Sequence, residues 1–346
     1  MKPLIIRADA TSHIGTGHIM RCIALGQAWH DNGGEVTFIS HCESEDLRQR
    51  LLEEGMNLIN IEKAYPAAND LECTLENIAA IGRHQAANCW LVIDGYYFDA
   101  SYQKRIKEAG YKILRIDDYG HADHYCADIV LNQNISADES FYMHREPHTK
   151  LLLGTGYVLL RREFKRWHGW QRSIPDIASK VLVTMGGADP DNVTLKVIQA
   201  LKQIDIPGLE AKIVVGHANP NLTILESAIS DRTNLQLIKS ASNMPELMAW
   251  SDIAVSAGGS TCWEMAFMGL PNIFMIIADN QRAVAEELHK QSIAFNMGWG
   301  KKILIADLVQ HIKSLLLSKD LRKEYSIKSS QIIDSLGSQR VCNEMH

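Results

Sequence analysis

The stretch LIIRADATSHIGTGHIMRCIALG, residues 4–26, decides how the chain is read. A short strand-like run (4–7) enters a polar loop, then a Gly15-Thr16-Gly17 turn, and from there apolar residues recur at helical spacing. A strand that passes through a glycine turn into a helix is the opening unit of a parallel α/β sheet. Residues 36–40, 90–94, 113–117 and 129–131 repeat the strand signal, and a second series runs through 181–185, 213–216, 235–238, 253–256 and 273–277. Helical periodicity occupies 19–30, 71–85, 193–201, 246–250, 261–268 and 282–290. Near-continuous apolar strands alternating with helices predict parallel sheets covered on both faces.

The rhythm pauses once, between Lys150 and Lys180, where RREFKRWHGWQRSIPD (161–176) separates the two series. We therefore expect two Rossmann-like domains facing a cleft, 1–160 and 161–346, a division that suits a length of 346 residues. The amphipathic stretch 320–336 has no strand after it and reads as a tail able to pack back on the first domain. With 46% hydrophobic residues the chain is no disordered or low-complexity polymer. Its 35 Lys and Arg against 41 Asp and Glu give a net charge of −6, which argues against nucleic acid as a partner. Seven scattered cysteines without a CxxC pair form no disulfide framework and point to a reduced, cytoplasmic protein. No run is long enough for a signal peptide or a bilayer span, so no membrane insertion is expected. Nothing in the sequence points to an obligate protein partner.

Ligands of open parallel sheets sit beyond the carboxyl ends of strands, and three loops there carry the candidate chemistry. In the first, Gly15, Thr16 and Gly17 open a helix whose free amides and dipole favour an anion, with His18 beside it. The dipole disfavours an imidazolium there and leaves His18 able to accept a proton; the plain alternative is a turn histidine. The second loop, MGGADPDN (185–192), turns tightly at Gly186-Gly187, and Asp189 and Asp191 are placed to cap the next helix. In the third, SAGGSTCWEMAFMGLP (256–271), amides of Gly258, Gly259 and Ser260 suit a diphosphate, and Glu264, one turn on, suits the two hydroxyls of a ribose. An acidic protein can bind a nucleotide in this way. A structural strand–turn–helix connection would account equally for the second loop.

Other constellations fall short. His121, Asp123, His124 and Cys126 in HADHYC resemble a metal cluster but match no zinc spacing, and the segment reads as a polar loop. Asp9, His13 and His18 are no better placed for a cation. We expect no metal and no cofactor. The chain has neither a G-x-S-x-G elbow nor a Walker motif, and the Trp167–Trp170 pair reads as linker packing.

RADATSHIGTGHIMRCIALG (7–26), IDDYGHADHYCADIVLNQN (116–134), GGADPDN (186–192) and VSAGGSTCWEM (255–265) occur in an order that resembles one family. It is the UDP-2,4-diacetamido-2,4,6-trideoxy-β-L-altropyranose hydrolase of pseudaminic acid biosynthesis, a relative of the glycosyltransferase-B enzymes. The resemblance, from Arg7 to about Leu288, implies a glycosyltransferase-B-like fold and a UDP-sugar substrate. It implies His18 as catalytic base, and Tyr96, Arg161 and Asn280 as site residues. Thr16 and Arg21 around the His18 turn, Gly186 and Gly187, and Gln281 after Asn280 complete the expected substrate-contacting set. The family often reads Asp-His-Tyr-Gly where this chain has Asp94-Gly95-Tyr96-Tyr97. The expected reaction is water attack at the anomeric carbon with His18 as general base, inverting and independent of metal. The rivals are a glycosyltransferase of the same fold and a sugar-nucleotide-binding module without catalysis.

Overall fold

A computed structural model describes residues 3–11, 13–81, 89–187, 189–216 and 219–346. The chain divides into two compact units, Met1–Arg162 with Leu336–His346, and Glu163–Ser335. In the first, strands β1 (Leu4–Ala8), β2 (Val36–Ser40), β3 (Asn57–Asn60), β4 (Trp90–Asp94), β5 (Lys112–Ile116), β6 (Ile129–Asn132) and β7 (Lys150–Leu153) alternate with helices α1 (Gly17–Asp31), α2 (Glu45–Glu53), α3 (Asp70–Ile81) and α4 (Ala100–Glu108). All seven strands are parallel, in the order β3-β2-β1-β4-β5-β6-β7.

The second unit carries β8 (Lys180–Thr184), α5 (Val193–Leu201), β9 (Glu210–Val215), α6 (Leu222–Ile229), β10 (Leu235–Lys239), α7 (Met244–Trp250), β11 (Ile253–Ala257), α8 (Thr261–Phe267), β12 (Asn272–Ile276), α9 (Arg282–Lys290), β13 (Phe295–Trp299), α10 (Ile305–Leu317) and α11 (Lys319–Ser330). Its six strands are also parallel, in the order β10-β9-β8-β11-β12-β13. Both orders reverse between the first and fourth strands of the unit, and a crevice for ligands opens at such a reversal. The two-series reading is realised as two Rossmann-like α/β units.

Strands β1, β2, β4, β11 and β12 are buried along their whole length, which is why they read as continuous apolar runs. Three strands, at 57–60, 150–153 and 295–299, were not expected. They lie at sheet edges, carry at most one buried residue each, and contain Asn, Lys or Gly where an inner strand would carry Val or Ile. The helix expected over 71–85 is Asp70–Ile81, and 82–85 lie outside the described residues. Helix Lys319–Ser330 belongs to the second unit; the segment that lies with the first is Leu336–His346, whose helix Gly337–Met345 packs on α1. The seven cysteines are all free. Among the described residues no helix is long and apolar enough to cross a membrane.

Below the end of β1, Arg7 is fully buried. Its guanidinium donates to Asp9 (2.5 and 2.9 Å) and to Asp70 of α3, while its central carbon stands over the Phe98 ring, 5.2 Å from the centroid. Asp70 also accepts from the Tyr102 hydroxyl of α4 (2.8 Å), and Asp9 accepts from the amides of His41 and Tyr65. The Arg-x-Asp of the opening motif is thus a structural clamp that fixes the loop leaving β1. Removing the cation would strand two buried carboxylates. Arg7→Met is therefore expected to destabilise the first unit by about 3–5 kcal/mol, read from guanidinium unfolding; a loss below about 0.5 kcal/mol would rule the clamp out.

Candidate functional site

The last residue of β1 is level with the last residue of β4, in the register Ala8↔Asp94. The loop leaving β1 and the carboxylate ending β4 therefore emerge side by side at the reversal of the first sheet. The β1 loop closes on itself: the Gly15 amide donates to the Thr11 carbonyl (2.8 Å), and Gly15 adopts φ 78°, which a side chain would disfavour. Thr16 then stands at the N-cap of α1 without a side-chain capping bond, so Gly17 and His18 begin the helix with amides that have no side-chain cap.

His18 sits at the centre of a buried cluster. Its Nδ1 is 2.7 Å from Asp94 Oδ1. An ionised carboxylate only accepts, so Nδ1 carries a proton in this bond, and in the neutral tautomer the lone pair is on Nε2. Arg21, one turn further along α1, donates to both oxygens of Asp94 (2.7 Å each) and to both of Asp118 (2.7 and 3.1 Å). Asp118 also accepts from the Tyr96 hydroxyl (2.6 Å) and the Asn134 side-chain amide (3.0 Å). The Tyr96 ring meets His18 edge to face, 5.0 Å between centroids.

Burial by itself would raise the Asp94 carboxyl, but Arg21 and His18 override it and hold it well below the usual carboxylate range. Asp118 is lowered in the same way, against burial, chiefly by Arg21. The Tyr96 hydroxyl is pushed far up by burial and then by the Asp118 charge, so it stays protonated. Beside this cluster Arg115 of β5 donates to the Gly95 carbonyl (2.6 Å), fixing the turn that carries Tyr96, and to His121 Nε2 (3.0 Å). His121 Nδ1 lies 2.9 Å from Asp117.

The cluster unites His18, Arg21 and Tyr96 of the expected set. Asp94, Asp118 and Asn134 were missed as functional residues. Their one signal was position, a carboxylate or amide at or just past the end of β4, β5 and β6. Arg161 is buried in the first unit, where the chain leaves that fold.

In the second unit the register Thr184↔Ser256 brings the ends of β8 and β11 together. The Gly258 amide is not available to a ligand, contrary to expectation: it donates to the Met275 carbonyl (3.2 Å) and prolongs the sheet. The Gly259 and Ser260 amides make no hydrogen bond to a described residue and lead into α8, whose first turn carries Glu264. Gln281 folds back so that its side-chain oxygen accepts from the Ile277 amide (3.1 Å). A methyl group on Gly258 would touch the Gln281 Cβ at 3.4 Å, so the expected Gln281 does lie against the glycine loop, next to Asn280 in the turn after β12.

The second loop behaves differently. Asp189 accepts from the amides of Val193 (2.8 Å) and Thr194 (2.9 Å), capping α5, while Asp191 is exposed. That helix start is already occupied by a carboxylate. Gly186 stays open, with φ 79° and nothing within 4 Å of a would-be Cβ. Gly187 is packed against Gly216, where a Cβ would fall 2.5 Å from the Gly187 carbonyl oxygen.

A family model for the glycosyltransferase family 28 C-terminal domain matches residues 181–340. The chain aligns along its whole length with the Staphylococcus aureus MnaA–UDP structure, at a TM-score of 0.70 and 12% identity, covering 96% of that chain. The fold is glycosyltransferase-B-like. Among curated relatives, the UDP-2,4-diacetamido-2,4,6-trideoxy-β-L-altropyranose hydrolase of Campylobacter jejuni is 28% identical over 292 residues, 83% of this chain and 96% of that protein. A protein of Methanocaldococcus jannaschii is 26% identical over 299 residues, which is 84% of this chain but 59% of that relative's length. The resemblance implied by the motifs thus extends over most of this glycosyltransferase-B-like chain.

The buried charges of the first unit dictate a pH response. Above about pH 5 the carboxylates are ionised in both folded and unfolded chains, and their stabilisation is fully present. Below it the unfolded chain takes up protons that Asp94 and Asp118 refuse, so stability falls with falling pH. The unfolding free energy of the wild type should drop more steeply between pH 5 and pH 3, taken as roughly the window around a free carboxyl, than that of Asp94→Asn. Parallel curves would disprove this account.

Proposed function

We propose that the protein is an enzyme acting on a UDP-sugar, hydrolysing UDP-linked 2,4-diacetamido-2,4,6-trideoxy-L-altrose to UDP and the free sugar in pseudaminic acid biosynthesis. The observation that carries the reading is the His18–Asp94 hydrogen bond of 2.7 Å at the reversal of the first sheet. It presents a histidine with Nε2 free to take a proton, backed by a carboxylate that cannot be protonated near neutrality. The name of the Campylobacter jejuni relative supplies the sugar.

In the proposed step, a water oxygen attacks the anomeric carbon as its proton passes to His18 Nε2. The bond from that carbon to the diphosphate oxygen breaks, and UDP leaves with the electron pair. A single displacement inverts the carbon. A diphosphate is a good leaving group, so the step requires neither a strong acid nor a metal at His18. With the proton on His18, the cluster of His18, Arg21, Asp94 and Asp118 holds two cations and two carboxylates and is balanced. Tyr96 has its proton engaged by Asp118 and offers its oxygen as an acceptor, to the water or to an N-acetyl N–H. Gly15, Thr16, Gly17 and Arg161 belong to the proposed sugar-binding set.

In the second unit the proposed UDP contacts are the Gly259 and Ser260 amides on the diphosphate and Glu264 on the ribose. Gly258, Gly186 and Gly187 give the backbone close approach, and Asn280 and Gln281 flank the loop. The match to the glycosyltransferase family 28 C-terminal domain favours a second reading, transfer of the sugar to an acceptor from the same nucleotide site.

Incubation with the UDP-diacetamido sugar alone separates the two. The hydrolase releases UDP without an acceptor, His18→Ala lowers kcat by about 10²–10⁴-fold, and Glu264→Gln raises KM about tenfold, a loss of roughly 1.4 kcal/mol, with kcat little changed. Release only after an acceptor is added would establish the transferase instead, and an unimpaired His18→Ala would remove the base from the mechanism.

A further inference from the structure

The HADHYC segment, rejected as a metal site on spacing, acquires a partner in three dimensions. Tyr125 forms a parallel bridge with Arg145, held by Tyr125 N–H to the His144 carbonyl (2.9 Å) and Glu146 N–H to the Tyr125 carbonyl (3.0 Å). Side chains alternate along extended chain, so His124 and Cys126 share a face. The bridge brings Glu146 to that face. One ligand atom from each of His124, Cys126 and Glu146 lies within 4.8 Å of the other two, and His124 Nε2 is 3.0 Å from Glu146 Oε1. Ligand atoms around a tetrahedral zinc stand about 3.3–3.8 Å apart, given bonds of roughly 2.0–2.3 Å, so small side-chain rotations reach the required geometry.

We propose that His124, Cys126 and Glu146 form a binding site for one divalent transition-metal ion of the zinc class, on the first unit and separate from the His18 cluster. The donor set is one imidazole, one thiolate and one carboxylate, which suits zinc and excludes the all-oxygen chemistry of magnesium and calcium. Thiolate and carboxylate together neutralise a 2+ ion. The backbone is held in advance: the Cys126 amide donates to Gln103 of α4 (3.1 Å), and the bridge fixes Glu146. Lys104, Lys107 and Glu108 line the same cleft, and of the two lysines Lys107 is already paired with Asp128 (2.7 Å). The cleft, of about 550 Å³, is open to solvent and also lined by His148, leaving room for a fourth ligand, water or that imidazole. A bound ion would join the loop after β5 to the segment before β7.

The test uses the full-length protein with cobalt(II) as a spectroscopic stand-in and zinc as competitor. One equivalent of cobalt is expected to give tetrahedral visible bands and a near-ultraviolet thiolate charge-transfer band, both removed by zinc. Cys126→Ser should abolish the charge-transfer band. His124→Ala and Glu146→Gln should weaken binding at least tenfold, while Asp123→Asn, in the same loop but outside the cluster, should bind as the wild type does. Zinc should also slow alkylation of Cys126 in the wild type, a readout that needs no variant. A wild type without the thiolate band, a band that survives in Cys126→Ser, or alkylation of Cys126 that zinc leaves unchanged would each overturn the proposal.

Discussion

One carboxylate, Asp94, is shared between a histidine and an arginine of the same helix, and the hydrogen-bonded net at the reversal of the first sheet depends on that sharing. Arg21 grips both of its oxygens while one of them also accepts a hydrogen bond from His18 Nδ1. A buried ion of this kind persists only when its partners are held in place. The parallel sheet supplies the fixed frame: α1 follows β1, Asp94 ends β4, Asp118 follows β5 and Asn134 follows β6. Each strand end contributes one side chain to the same hydrogen-bonded net. The Arg7 clamp beneath it fixes the loop from which α1 starts.

The two units share the order of their first six strands but equip the reversal point differently. In the first, the crevice is lined by ionised side chains, Arg21 held between Asp94 and Asp118. In the second it is lined by backbone, the Gly259 and Ser260 amides after β11 and the open Gly186 after β8. The difference follows from composition. A chain of net charge −6 has few cations to spare for an anionic ligand, and unpaired amides at a strand-to-helix turn attract negative charge without any. Where a carboxylate already occupies such amides, as Asp189 does at the start of α5, the position caps the helix instead.

Glycine turns and buried strands were legible in the sequence because their causes are local. A run such as Trp90–Ile93 is apolar throughout because both its faces are covered, and Gly15-Thr16-Gly17-His18 announces a turn by its two glycines. The edge strand Asn57–Asn60 carries no such mark, since its two terminal asparagines are exposed. Asp94 and Asp118 were invisible as functional groups for a different reason: an aspartate at a strand end resembles any helix cap or loop residue. Only the fold reveals that residues 18, 21, 94, 118 and 134 converge. The Gly258 amide shows the opposite error, a local motif read correctly as a turn while one of its donors had been taken by the neighbouring strand.

Long-range pairing also explains why spacing rules misjudge His124 and Cys126. Zinc spacings describe ligands delivered by one compact hairpin or helix, and HADHYC alone delivers two. The third ligand, Glu146, arrives 20 residues after Cys126 through the Tyr125–Arg145 bridge. The first unit thus places carboxylates in two unlike settings. Around His18 they are buried, gripped by Arg21 and unable to accept another cation, because their lone pairs are engaged. At Glu146 the carboxylate is half exposed and, among the described residues, its side chain is bonded only to His124, a contact that an incoming ion would replace with two coordinate bonds. What a carboxylate does in this protein is decided by how many of its lone pairs the fold has already used.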